Sequence, residues 1–226
     1  MNDFKISKRL CTAASYVRNG AVVADIGTDH AYLPIYLVLN GKVDRAYASD
    51  INEGPIQRAN ENIQKYDLQD KIKTEVIPGL DGIEKISPND IVICGMGGEL
   101  IVKILENSTY IRQKNVRLIL QPMTQVEKVR EYVSNGFSTI AENVVFEDEK
   151  VYQVLCLQYD GAFHEHTKIE LELGKLNIKN NSEEFKILLN LTIAKKEKRR
   201  DGLAYGGYDT KEIDEEIKEL RKLRWQ

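Results

Sequence analysis

The sequence predicts an α/β doubly wound sheet, and three observations carry that prediction. Short apolar runs alternate with helical patterns through about residue 160, and such alternation reads as a parallel sheet with helices on both faces. The run Val22-Val23-Ala24-Asp25-Ile26 leads into Gly27 and a helical pattern, and a second run, Ala46-Tyr47-Ala48-Ser49, ends in Asp50. That is the layout of the first βαβ unit of a nucleotide-binding sheet. Two longer runs, 138–146 and 152–159, enclose Glu147-Asp148-Glu149-Lys150 and read as an antiparallel hairpin finishing the sheet.

Leu10, Ala13, Ala14 and Val17 recur at helical spacing and Asn19-Gly20 supplies a stop, so the chain opens on a helix. A strand is predicted over 22–26, then a helix over 31–39 whose first turn tolerates Pro34. A strand over 43–49 and a helix over 55–66 follow, the latter carrying Ile56, Ala59, Asn60 and Ile63 on one side. Residues 71–77 alternate like a half-exposed strand closed by Pro78-Gly79. Residues 90–94 are short and very apolar, as the centre of a parallel sheet requires. A helix over 99–106, a strand over 116–120 and a helix over 126–134, stopped by Asn135-Gly136, lead into the hairpin. Seven strands ending in a hairpin is the count and order of a class I methyltransferase, a Rossmann-like sheet, rather than of a dehydrogenase.

Beyond residue 160, Leu, Ile, Lys and Glu dominate. Leu171, Leu173, Leu176 and Ile178 start a helical pattern that Leu188, Leu189, Leu191 and Ile193 continue beyond Asn180-Asn181-Ser182. Tyr205-Gly206-Gly207 breaks it, and Ile213, Ile217, Leu220 and Leu223 resume it near heptad spacing, with Asp209 or Thr210 as cap. Two domains are expected: a sheet domain over 1–160 and a small α-helical coiled-coil domain over 161–226.

At 42% hydrophobic and 30% charged, the 226 residues can bury a sizeable core. The net charge of −3 gives no global basic field for nucleic acid, although a local patch stays open. Cys11, Cys94 and Cys156 are far apart, odd in number and without metal spacing, which fits free thiols in a reducing compartment. Met1-Asn2-Asp3-Phe4-Lys5 lacks the apolar stretch of a signal peptide, and the longest apolar run, around 33–39, is too short to span a bilayer. A cytoplasmic protein is expected.

The candidate site is acidic. Asp25 followed by Gly27 also fits an ordinary strand-to-helix turn, but Asp50 closing the second strand is placed to accept from ribose hydroxyls. The loop is not G-x-G-x-x-G: Asp29 and Ala31 stand where small residues would be wanted. A pyrophosphate would meet the carboxylate of Asp29 at a helix N-terminus. A phosphate-free cofactor with a cationic sulfonium suits the loop better, and S-adenosyl-L-methionine meets both requirements. Asp81-Gly82 is a common turn dipeptide, yet an acid after the third strand also receives the exocyclic amine of adenine. Ile93-Cys94-Gly95-Met96-Gly97-Gly98 follows the central strand and offers bare backbone to a flat base near the methyl donor; a flexible loop and helix start is the plainer reading. Cys94 reads as a buried thiol rather than a nucleophile, lacking a Pro-Cys setting. His30 is read as a donor in the cofactor pocket rather than merely a polar residue at a helix start, and His164 and His166 as a solvated pair. Lys195-Lys196-Glu197-Lys198-Arg199-Arg200, with Lys8-Arg9 and Arg18, reads either as solvated helix faces or as contacts to RNA phosphates.

Residues 25–34 (Asp25-Ile26-Gly27-Thr28-Asp29-His30-Ala31-Tyr32-Leu33-Pro34), Ile93-Cys94-Gly95-Met96-Gly97-Gly98 and Leu118-Ile119-Leu120-Gln121-Pro122 resemble the bacterial TrmK family. The resemblance covers essentially the whole chain, although the C-terminal region matches only in character. It implies S-adenosyl-L-methionine-dependent methylation of adenine N1 at position 22 of tRNA. It implies that Asp25, Gly27, Asp29, His30, Asp50, Asp81, Gly82 and Gly95 line the cofactor pocket; at Asp50 the family can carry Glu. Gly95, Met96, Gly97 and Gly98 would face the methyl group and the base, with Tyr32 stacking on it. Asp29 is the candidate catalytic residue, accepting from the base's exocyclic amine or stabilising its developing charge. Lys8, Arg9, Lys195, Lys196, Arg199 and Arg200 would contact tRNA. A monomer without metal is expected. The competing readings are a methyltransferase acting on a small molecule and a non-catalytic cofactor-binding protein that recruits a partner.

Overall fold

The computed structural model describes residues 4–225; the N-terminal residues Met1, Asn2 and Asp3, read above against a signal peptide, lie outside the described residues. The elements are α1 (Lys8–Tyr16), β1 (Val23–Ile26), α2 (Tyr32–Leu39), β2 (Ala46–Asp50), α3 (Glu53–Lys65), β3 (Ile72–Val76), β4 (Asp90–Gly97), α4 (Gly98–Glu106), β5 (Arg117–Thr124), α5 (Val126–Val133), β6 (Asn135–Glu147) and β7 (Lys150–Phe163). The helices α6 (Lys168–Leu173), α7 (Lys175–Asn180), α8 (Glu183–Tyr205) and α9 (Lys211–Lys222) follow. The seven strands form one sheet in the order β3-β2-β1-β4-β5-β7-β6. β1 to β5 are parallel, and β7 pairs antiparallel with both β5 and β6.

Chain direction across the sheet reverses between β1 and β4, so a crevice opens at their carboxyl ends. The central strands β1, β4 and β5 are apolar on both faces because both are covered. Val23, Val92 and Ile119 join Ala13, Leu33 and Ile63 in one core layer. Their neighbours Ala24, Ile91, Ile93 and Leu118 join Ile101, Leu105 and Val129 in the other. A third cluster seats Leu173, Phe185, Leu189, Ile193 and Leu220 on Val144 of the hairpin.

The hairpin turn carries Asp148 and Glu149 at φ of 49° and 60°, the left-handed pair that a two-residue turn demands. Both its strands outrun the sequence expectation, because backbone pairing continues into polar residues; β7 passes residue 160 and ends at Phe163. Asn135-Gly136 is no stop but the start of β6, and the Tyr159 ring lies 2.9 Å from where a Cβ on Gly136 would sit. The helical region is tied to the hairpin by a buried network. Arg130 donates to Glu142 (2.8 Å), Gln153 (2.7 Å) and the Leu171 carbonyl (2.9 Å). Glu142 in turn accepts the backbone N–H groups of Leu176 and Asn177 at the start of α7.

Candidate active site

Gly27 stands at the crevice with φ of +76°, and its N–H donates to the Ser49 carbonyl at 2.7 Å, tying the end of β1 to that of β2. A side chain there would be strained and would collide with Met96, whose Cε lies 1.8 Å from a built Cβ. Met96 reaches this point because β4 does not end at Cys94: it runs on to Gly97, paired with Gln121, Pro122 and Thr124 through two register shifts. The expected glycine loop is therefore a bulged strand, its backbone satisfied by β5.

On one side of Gly27 lies a cavity of about 320 Å³, walled by Ile51, Ile77, Leu80, Leu100 and Ile104 and bearing Asp50 and Asp81. Asp50 Oδ1 accepts from the backbone N–H and side-chain amide of Asn52 at 2.8 and 3.2 Å. Oδ2 has no partner among the described residues and can accept a diol hydroxyl. Apolar walls for a flat ring, with two acids among them, fit a nucleoside.

On the other side a second cavity, also about 320 Å³, is lined by Arg9, Asp25, Gly27, Thr28, Asp29, His30, Tyr32, Cys94 and Gly95. Asp25 is only 7% exposed, and burial pushes its carboxyl up to about 6 against a lowering hydrogen bond with Thr28. No cation pairs with it among the described residues. Burial also pushes the Cys94 thiol up, with the Asp25 carboxylate adding to it, so the thiol stays protonated. That agrees with its reading as an inert thiol. Arg9 donates to Gln121 Oε1 at 2.9 Å and lies over the Tyr152 ring. Its guanidinium thus turns toward the second cavity rather than outward.

Asp29 projects from the mouth of this cavity. Arg58, on α3, donates to its Oδ1, and His30 Nε2 lies 3.2 Å from its Oδ2. The His30 ring stacks on Tyr32 at 4.9 Å and 10°, leaving Tyr32 43% exposed.

Three expected glycines do other work. Gly98 is buried, and a Cβ on it would lie 2.3 Å from the Gln125 carbonyl oxygen, so it packs α4 against the β5–α5 loop instead of facing a base. Gly97 meets Thr124 and lines neither cavity. Gly82, at φ of 68°, turns the chain into a short 3-10 helix and also lines neither.

The cationic helix face is partly spoken for. Lys196 lies 2.9 Å from both Glu172 and Glu216, and Arg200 pairs with Asp201 and Asp214. Lys195 lines a groove of about 580 Å³ with Met123, Gln125, Lys150 and Leu191, between α8 and the carboxyl end of β5. Lys8 is exposed, and Arg199 has no ion pair among the described residues. His164 pairs with Asp160 at 2.9 Å, and His166 Nδ1 is buried, so neither is the freely solvated histidine expected. No group of three or more His, Cys, Asp or Glu able to hold a metal occurs among the described residues, and no helix there is long and apolar enough to cross a membrane.

The sequence analysis gave no role to Arg58, and named Gln121 only within a motif. Nothing in the sequence marks Arg58, whose role arises from α3 packing beside the β1 loop. A glutamine continuing the apolar strand Leu118-Ile119-Leu120 was a usable signal for a buried polar anchor.

Residues 6–155 match the family described as a methyltransferase domain. The chain is 41% identical, over 78% of its length and 74% of the relative's, to the tRNA (adenine(22)-N1)-methyltransferase of Bacillus subtilis. The crystal structure of the B. subtilis m1A22 tRNA methyltransferase TrmK is similar with a TM-score of 0.82 and 33% identity, covering 97% of this chain and 96% of that one. M. capricolum TrmK, solved with the cofactor product S-adenosyl-homocysteine, is similar with a TM-score of 0.81 and 29% identity over 96% of each chain.

Proposed function

The chain belongs to the family of tRNA (adenine(22)-N1)-methyltransferases, and from that premise we infer how its residues divide the transfer of a methyl group from S-adenosyl-L-methionine to adenine N1 of tRNA. The observation that carries the assignment is the pair of cavities that share Gly27, one bearing Asp50 and Asp81 among apolar walls and one lined by Asp25, which has no cation partner among the described residues.

Asp50 accepts from the ribose hydroxyls and Asp81 from the adenine amine, with Ile51 and Leu80 against the ring. Gly27 and Gly95 let the amino-acid arm pass close to the backbone, and Asp25 supplies negative charge to it, with His30 near the mouth. Gly82 shapes the turn that presents Asp81. When bound, S-adenosyl-L-methionine supplies an electrophilic methyl group on a sulfonium.

Adenine N1 carries its own lone pair, so the site needs no strong general base. Its residues align N1 with the methyl carbon and hold the base out of its stack. Tyr32 provides a face for the flipped base, with Met96 at the donor side; Gly97 and Gly98 fix the strand end and helix that frame it. A carboxylate offers about four acceptor sites, so Asp29 retains capacity for the base amine while Arg58 and His30 aim it. That makes Asp29 the acceptor for the charge that grows on the base.

The helical region, 161–226, grips the tRNA beside a methyltransferase domain of 1–160. Lys195 and Arg199, with Lys8, make phosphate contacts; Lys196, Arg200 and Arg9 hold these surfaces in shape. The groove beside Lys195 opens toward the end of β5 and supports this reading. The three free cysteines and a tRNA substrate support a cytoplasmic site of action, and the chemistry calls for no metal.

The test is methyl transfer from labelled donor to unmodified tRNA transcripts, with mass mapping of the product. We expect 1-methyladenosine at position 22. Donor binding without transfer to any transcript would overturn the reading.

A further inference from the structure

We propose that the groove between α8 and the carboxyl end of β5 is a second base-binding site, which takes the nucleotide next to the target in the tRNA strand. The inference deepens the tRNA reading above and rests on it.

The groove adjoins the Asp25 cavity through a short chain of contacts. Arg9, on the wall of that cavity, donates to Gln121 Oε1 at 2.9 Å, and Gln121 Nε2 lies 3.5 Å from the sulfur of Met123 on the groove wall. Arg9 also lies over the ring of Tyr152, which lines the groove. Two side chains thus separate the sites, a span of the order of one step along an extended strand. A base turned out of its stack into the Asp25 side draws its neighbour along, and the groove is where that neighbour arrives.

The walls suit a base. Met123 on β5 and Leu191 on α8 stand on opposite sides, 42% and 53% exposed, and offer apolar surface that a flat ring covers. Thr124, Gln125 and Thr192 bring hydrogen-bonding side chains to the edge of such a ring. Lys150 and Lys195 are exposed and in no ion pair among the described residues, so they are open to the flanking phosphates. Three acids also line the groove. Glu172 is held by Lys196 at 2.9 Å, while Glu127 and Glu149 are exposed. They repel a strand laid in phosphate-first and accept from an exocyclic amine, so the base enters and the backbone stays at the lysines.

The experiment is methylation of intact tRNA transcripts, and of transcripts lacking the base just before or just after position 22, by wild type and Leu191→Ala at saturating donor. Leu191 lines neither cofactor cavity, so S-adenosyl-homocysteine affinity, measured by calorimetric titration, should not change. With intact tRNA, Leu191→Ala should lower kcat/KM roughly three- to tenfold, the scale of covering an exposed leucine partway. Removing one of the two neighbouring bases should cost the wild type a similar factor. The same removal should cost Leu191→Ala about twofold at most, because the contact is already gone. Losses that multiply independently at both positions, or no loss in Leu191→Ala, would overturn the base site. A changed S-adenosyl-homocysteine affinity in Leu191→Ala would assign the residue to the fold and overturn it equally. If wild type transfers no methyl group even to intact tRNA, the tRNA reading itself falls; transfer without coupling sinks the groove alone.

Discussion

Asp25 and Glu142 are both buried carboxylates, at 7% and 3% exposure, in regions built to opposite ends. Glu142, under the junction of hairpin and helices, has Arg130 on one oxygen and two backbone N–H groups on the other. Asp25, at the crevice, has Thr28 and no cation among the described residues, and its carboxyl rises to about 6. A charge satisfied on all sides holds structure together and has nothing left for a ligand. A charge left wanting is a cost to the folded protein, and that cost is relieved when a cationic ligand arrives.

The sharpest way to break this comparison is at the junction. Glu142→Ala strands Arg130 without its buried partner and leaves two α7 N–H groups unmet, which should remove about 3–5 kcal/mol. Chemical denaturation measures it, and a loss under 1 kcal/mol would put Glu142 on a par with a surface pair. The next effect has the opposite sign. Raised from 3.8 to about 6, Asp25 destabilises the fold when ionised, by about 3 kcal/mol at 1.36 kcal/mol per unit. Asp25→Asn should therefore stabilise the ligand-free protein by up to that amount above pH 6. The gain shrinks as pH falls through 6 and is nearly gone by about 4, close to the unfolded value of 3.8. The same variant should weaken S-adenosyl-homocysteine about ten- to a hundredfold, the worth of a charge-assisted contact. Melting across pH 4–8 with parallel titrations reads both, and a destabilised Asp25→Asn would contradict the comparison. Smallest in stability is Arg58→Gln, which frees the exposed Asp29 and should change stability by under about 1 kcal/mol. Methylation should fall through kcat/KM for tRNA while cofactor affinity holds; lost cofactor affinity would move Asp29 from the base to the donor.

Asp50 was legible because it closes the run of β2, Asp25 because it stands near the end of β1 just before Gly27, and Asp81 only as a turn acid that follows β3. The hairpin was legible from two long runs around a charged turn. What escaped was whatever depends on partners distant in sequence. Gly97 and Gly98 look the same on paper as Gly95, yet only the approach of Thr124 and Gln125 reveals Gly98 as a packing device. Lys196 and Arg200 belong visibly to a basic run, while Glu172, Glu216 and Asp214, which face them, stand on other helices; only Asp201 beside Arg200 was in view. Nothing in the sequence singles out Arg130 or Glu142, whose partners arrive only when the helices fold over the hairpin.

The nucleoside cavity draws every lining residue from 26–107, the first half of the chain. The second cavity reaches no further than Gly95, and its Arg9 awaits Gln121 on β5 for anchorage. As the chain leaves the ribosome, the parts of the donor site emerge before the hairpin and the helices that complete the molecule. Once the later strands complete the core, a donor bound there stabilises the whole domain by mass action, so donor supply sets how much stability the enzyme carries beyond its own contacts.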